Sequence, residues 1–215
     1  MKFKTALLSI GILTGFGSLC HASVTINVSA EVLNDAFGVG SPTDEDTLVA
    51  LVADTNNNGV SVWEGALSVG GFLDNAPSVT PNTDLILGLK TLGFGSGMAG
   101  TFYDGFNGLD FTGAWGSGDN LYLVWFPTYT TSTISSVGGA SYGSIFLGIT
   151  PDDTNTANFE YLTAQSTNFA GSPGSMPDAI ANLTVQPVPE PSSFFVLAGL
   201  GLMGLLRRRV RRPAN

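Results

Sequence analysis

An all-β ectodomain, built as an antiparallel, jelly-roll-like β-sandwich, is the fold class predicted for residues 23–187, and three observations predict it. Apolar residues there either alternate with polar ones or run in short unbroken blocks. No stretch of it keeps a helical period over about ten residues. Gly, Asn, Asp and Pro separate the blocks, as turns between short strands require.

Taken in order, Val24, Ile26, Val28 and Ala30 alternate with Thr25, Asn27, Ser29 and Glu31, the period-two signature of a half-buried strand. Leu48, Val49, Ala50, Leu51, Val52 and Ala53 form a continuous apolar block ended by Asp54, which reads as a more deeply buried strand. Short pieces follow at 60–63 and 66–70, then a strand from Asp84 through Leu89. The strongest candidate runs from Asn120 to Phe126 and is closed by Pro127. Strands over 142–150 and 158–163 come next, and a last one over 180–186 leads directly into the tail. Nine glycines between Gly93 and Gly118, punctuated by Phe102, Tyr103, Phe106, Phe111 and Trp115, predict loops and short strands capping the sandwich. Residues 130–136 and 168–177 read as polar connectors.

Both ends read as targeting segments and stand outside the fold. Lys2 and Lys4 precede a mostly apolar run over 5–19, and Cys20-His21-Ala22 places small residues where a signal peptide (1–22) is cut before Ser23. A lipoprotein signal does not fit, because Gly17 stands where a leucine-like residue belongs. At the other end, over 188–212, Pro189 and Pro191 flank Glu190 and discourage helix before Ser192 and Ser193, which can cap one. An uncharged run over 194–206 follows, with Ala198, Gly199, Gly201 and Gly204 suited to close helix packing. It spans about 20 Å as a helix, short of a hydrocarbon core of about 30 Å. The two serines and snorkelling arginines make up part of the difference, giving a transmembrane helix over 192–206. Arg207, Arg208, Arg209, Arg211 and Arg212 then form a basic stop-transfer plug that stays cytoplasmic.

Taken together, the proline-flanked Glu190, the greasy helix and the arginine cluster resemble the PEP-CTERM sorting signal. The resemblance covers about the last 28 residues and implies recognition by exosortase, a membrane protease-transferase, and a link to exopolysaccharide and biofilm export. It implies a protein held transiently in the inner membrane and then delivered to the cell surface or extracellular matrix of a diderm bacterium. An ordinary tail anchor with a proline-rich hinge is the plainer alternative. The stretches around Asp54–Gly59, Asp84–Gly88 and Tyr122–Pro127 are loosely similar to ectodomains with this type of tail, and no activity comes with that likeness.

Removing the signal peptide takes away the single Cys and the single His. The domain then holds sixteen acids against one base, Lys90, for a net charge of −15. Without arginine it has little means of clamping phosphate, which argues against nucleic acid and nucleotides as partners. Without His or Cys, neither a serine triad nor a thiol nucleophile nor an ordinary zinc site can be assembled. Paired carboxylates alone remain for catalysis. The clusters Asp44-Glu45-Asp46 and Asp152-Asp153 sit in polar turns, so no enzymatic activity and no obligatory cofactor are expected.

Two binding motifs stand out. Asp54, Asn56 and Asn58 alternate ahead of Gly59, as oxygen ligands do at the start of a calcium loop, with Glu64 as a further ligand. An Asx-rich hairpin turn explains the same residues. Trp63, Trp115 and Trp125 form a candidate sugar-stacking set, although aromatic residues in strands usually belong to the core. The GxGxxG match at Gly95, Gly97 and Gly100 lacks the strand-then-helix context of a dinucleotide site. The expected function is an exported, sorted surface or matrix protein. Its rivals are a calcium-assisted carbohydrate-binding module and a carboxylate-dependent polysaccharide-degrading enzyme.

Overall fold

The structure, a computed structural model, describes residues 23–38, 43–75, 82–92, 99–111, 113–151, 156–162 and 179–188. The signal peptide 1–22, Asp152, Asp153, the connector 168–177 and everything from Pro189 onward, including the transmembrane segment 192–206 and the basic tail 207–212, lie outside these residues. Within them the regular structure is entirely β. The strands are β1 (Ser23–Glu31), β2 (Leu33–Asn34), β3 (Leu48–Asp54), β4 (Gly65–Ala66), β5 (Asp84–Thr91), β6 (Phe102–Asp110), β7 (Asn120–Phe126), β8 (Ser135–Ser136), β9 (Ser141–Ile149), β10 (Thr156–Leu162), β11 (Ala179–Ile180) and β12 (Leu183–Thr184).

A five-stranded antiparallel sheet, ordered β12-β9-β7-β3-β5, faces a three-stranded sheet, ordered β10-β1-β6. The core lies between them. From β1 come Val24, Ile26, Val28 and Ala30, and from β6 come Phe102 and Phe106. Val49 and Leu51 of β3 meet them with Leu123 and Trp125 of β7. The alternation in β1 thus reflects one buried face and one open face.

The far face of the five-stranded sheet is also covered. Leu48, Ala50 and Val52 of β3, Ile86 of β5, and Val124 and Phe126 of β7 pack beneath Val62, Leu67, Leu73, Tyr129 and Val185. This cover is a layer of loops stitched by the β4–β8 ladder and by Leu67 N–H donating to the Ile134 carbonyl at 2.9 Å. All seven residues of β3 are buried as a result, which explains the unbroken apolar block over 48–53.

Four expectations need correction. The sandwich is not antiparallel throughout, because β1 pairs in parallel with β10 and β2 in parallel with β11. A jelly roll joins antiparallel neighbours. Here β6 takes one edge of β1, and β10, arriving after a long crossover, takes the other. The glycine-rich region contains a full nine-residue strand, β6, in which Phe102 and Phe106 point into the core. The last stretch, expected as one strand, serves three partners in turn. Residues of β11 pair with β2, those of β12 with β9, and Gln186 bridges to Trp63. Residues 60–63, likewise read as a strand, contribute only that bridge.

Candidate functional site

The Asp54 loop is organised around its own carboxylate. Asp54 closes β3 and is fully buried, with Oδ2 accepting from Gly59 N–H at 2.7 Å and Oδ1 from Asn56 N–H at 3.3 Å. Asn56 Oδ1 accepts from Asn58 N–H at 3.2 Å. Asn57 sits in the left-handed region at φ 58°, and its Oδ1 accepts from Asn120 N–H at 3.0 Å, tying the turn to the start of β7. The structure therefore brings Asp54, Asn56 and Asn58 together as an Asx-stabilised turn whose oxygens face backbone donors. Glu64 is placed differently. Its N–H donates to the Gln186 carbonyl at 2.8 Å, and its carboxylate lies beside Gly138. Among the described residues, no group of three or more His, Cys, Asp and Glu side chains is spaced to hold a metal ion.

Beside that turn lies a carboxylate that sequence reasoning missed. Asp84 opens β5 opposite Asp54 in the β3–β5 register. Its Oδ2 accepts from Ser61 N–H at 2.7 Å, while Oδ1 is buried without a hydrogen-bond partner. Burial pushes its pKa up to about 7, the Ser61 N–H opposes that, and the charges of Asp74 and Asp54 add to the rise. Asp74 itself accepts from Thr83 N–H at 2.7 Å and Asp84 N–H at 3.1 Å. A proton-holding carboxyl is what a general acid needs. At 1% exposure, however, Asp84 meets no polymer, and its surroundings are those of a structural group. The acids of the Asp44-Glu45-Asp46 cluster are exposed, as their turn composition implied.

The tryptophan set does not form a face. Trp125 is completely buried, its Nε1 donates to the Asn34 carbonyl at 3.0 Å, and its indole fills the space over Gly143 where a Cβ would lie 2.0 Å from the ring. Trp115 is buried too, edge-on to Phe111 at 4.8 Å, with Nε1 donating to the Asp110 carbonyl at 3.0 Å. Both rings belong to the core: Trp125 shares a side of β7 with Leu121 and Leu123, and Trp115, in the loop between β6 and β7, packs into the same cluster. Trp63 is half-buried in the loop layer. A different aromatic, Tyr103, is exposed on the outer face of the three-stranded sheet.

The root of the tail is held firmly. Val185 is fully buried, and Gln186 N–H donates to the Val62 carbonyl at 2.8 Å while its own carbonyl accepts from Glu64. Pro187 packs against Gly138. Pro189, Glu190, Pro191 and the five arginines follow outside the described residues. The family model of the PEP-CTERM protein-sorting motif matches residues 187–212, beginning at that packed proline. The chain carries a PEP-CTERM sorting motif. A PEP-CTERM tail implies a secreted protein that transits the membrane and is processed by exosortase. No curated protein and no solved structure matched the chain.

Proposed function

We propose that the chain is a non-catalytic surface or matrix protein that exosortase releases from the inner membrane and that then associates with exopolysaccharide. The sorting motif at 187–212 carries this reading. In the proposed sequence of events, the signal peptide starts export and the 192–206 helix halts it with Arg207, Arg208, Arg209, Arg211 and Arg212 inside. The Pro189-Glu190-Pro191 turn then presents the junction to the processing enzyme. The net charge of −15 on the domain keeps it soluble and away from phosphate-bearing partners. The Asp84 carboxyl is closed off from solvent, which favours structure over catalysis.

Fractionation of the producing bacterium tests this reading. Wild-type protein is expected in the extracellular matrix, with mass spectrometry finding residues 207–212 missing. Replacing Pro189, Glu190 and Pro191 with alanine is expected to trap the protein in the inner membrane. Matrix material with an intact C-terminus overturns the proposal.

A further inference from the structure

We infer that the outer face of the β10-β1-β6 sheet is a binding platform for a neutral, hydroxyl-rich glycan chain. The inference deepens the matrix reading above by naming the surface and the class of polymer it holds. Cross-strand register aligns two rows of side chains on this face. Asn158, Asn27 and Gly105 form one, and Glu160, Ser29 and Tyr103 form the next. Between them lies an open trough of about 600 Å³.

Its chemistry differs from that of an ordinary solvated sheet, which presents long charged side chains. Asn27 Nδ2 donates to Asn158 Oδ1 at 2.9 Å, and each amide keeps further donor or acceptor capacity for a ligand. Paired amides of this kind match the alternating donors and acceptors of neighbouring sugar hydroxyls. The Tyr103 ring, 37% exposed, offers an apolar surface for the C–H face of a pyranose and a hydroxyl at its tip. Gly105 keeps the floor low, since a Cβ there would lie 2.4 Å from Asn27 Oδ1.

Charge decides which glycan. Glu160 stands at the trough, and Glu31 lies near it, its pKa raised by burial and by the Glu160 charge. Lys90, the only cation of residues 23–188, is committed to Asp104 and to the Gly105 carbonyl. A face with negative charge and no free cation repels uronate and phosphate polymers, so the occupant is uncharged.

Affinity electrophoresis of the full-length chain, in mild detergent, through gels containing dextran, galactomannan or hydroxyethylcellulose, with alginate as the anionic polymer, tests this. Retardation by at least one neutral polymer and none by alginate is expected. Asn27→Ala and Tyr103→Ala should each weaken the interaction about tenfold, with unfolding midpoints near wild type. Phe37→Ala, on another exposed ring, should leave it unchanged. Passage of wild type unretarded through every neutral gel, equal retardation of wild type and both trough variants, or retardation by alginate overturns the assignment. The matrix reading fails separately: a chain that binds a neutral glycan in the gel yet never leaves the inner membrane sinks sorting and leaves the trough standing. A matrix-resident chain whose trough variants stay equally resident and equally retarded does the reverse.

Discussion

The outer faces of the two sheets are built for opposite purposes. On the five-stranded sheet, Val52, Ile86, Val124 and Phe126 disappear beneath loops, and the sheet has a core on each side. On the three-stranded sheet, Asn27 and Ser29 look outward over an open trough. The contrast teaches that apolar periodicity counts covered faces. An unbroken block such as 48–53 marks a strand with two covers, and an alternating one such as 24–31 marks a strand with one.

The comparison breaks most visibly at Phe126, whose ring stacks on Tyr129 at 5.4 Å and meets Tyr142 at 6.2 Å. If the loop layer is a true second core, Phe126→Ala should cost about 3–5 kcal/mol in denaturant unfolding. A loss below about 1 kcal/mol would mean that the loops merely rest on the sheet.

Next in size is the effect of Asp84, at the covered end of β5. Its folded-state pKa of about 7 lies above the ordinary 3.8, so the folded chain holds this proton more tightly than the unfolded chain does. The stabilisation is complete below about pH 4, declines as pH rises towards 7, and is gone above that. Comparing wild type with Asp84→Asn cancels the other carboxylates. Between pH 4 and pH 8 the wild type should lose on the order of 3 kcal/mol relative to the variant. Parallel pH–stability curves for the two proteins would show that Asp84 is ionised in the fold.

The smallest effect belongs to the open face. Asn27→Ala removes an exposed amide contact and should shift stability by no more than about 0.5 kcal/mol in the same unfolding assay. A larger loss would mean that the trough side chains hold the sheet together, and the contrast between the two outer faces would weaken.

What could be read in advance follows the same physics. Strand β7 occupies the residues its pattern marks, and β3, β5 and β9 lie within a residue or two of theirs, because each is an apolar run bounded by turn residues. Strand β6 was obscured by Gly105 and Gly108, which lower local strand preference, while Phe102 and Phe106 gain their burial only once β1 and β5 are beside them. The parallel partner of β1 lies more than a hundred residues away, and no local signal specifies it. The sorting motif was legible because it is linear. The trough was not, since Asn27 and Ser29 read as a solvated edge until Asn158 and Tyr103 arrive from other strands. Asp84 hid for a similar reason: an acid heading an apolar run looks like a turn residue, and only the fold closes over it.

The parallel pairing of β1 also sets a timetable for the nascent chain. β1 leaves the ribosome first, yet its second edge stays open until Leu162 has been made. At roughly 5–20 residues per second that wait lasts on the order of ten seconds. Throughout it, an exposed edge with alternating Val24, Ile26 and Val28 is available to any other unpaired strand. A factor that keeps the early chain extended therefore guards a strand that is synthesised first and waits for a partner made more than a hundred residues later.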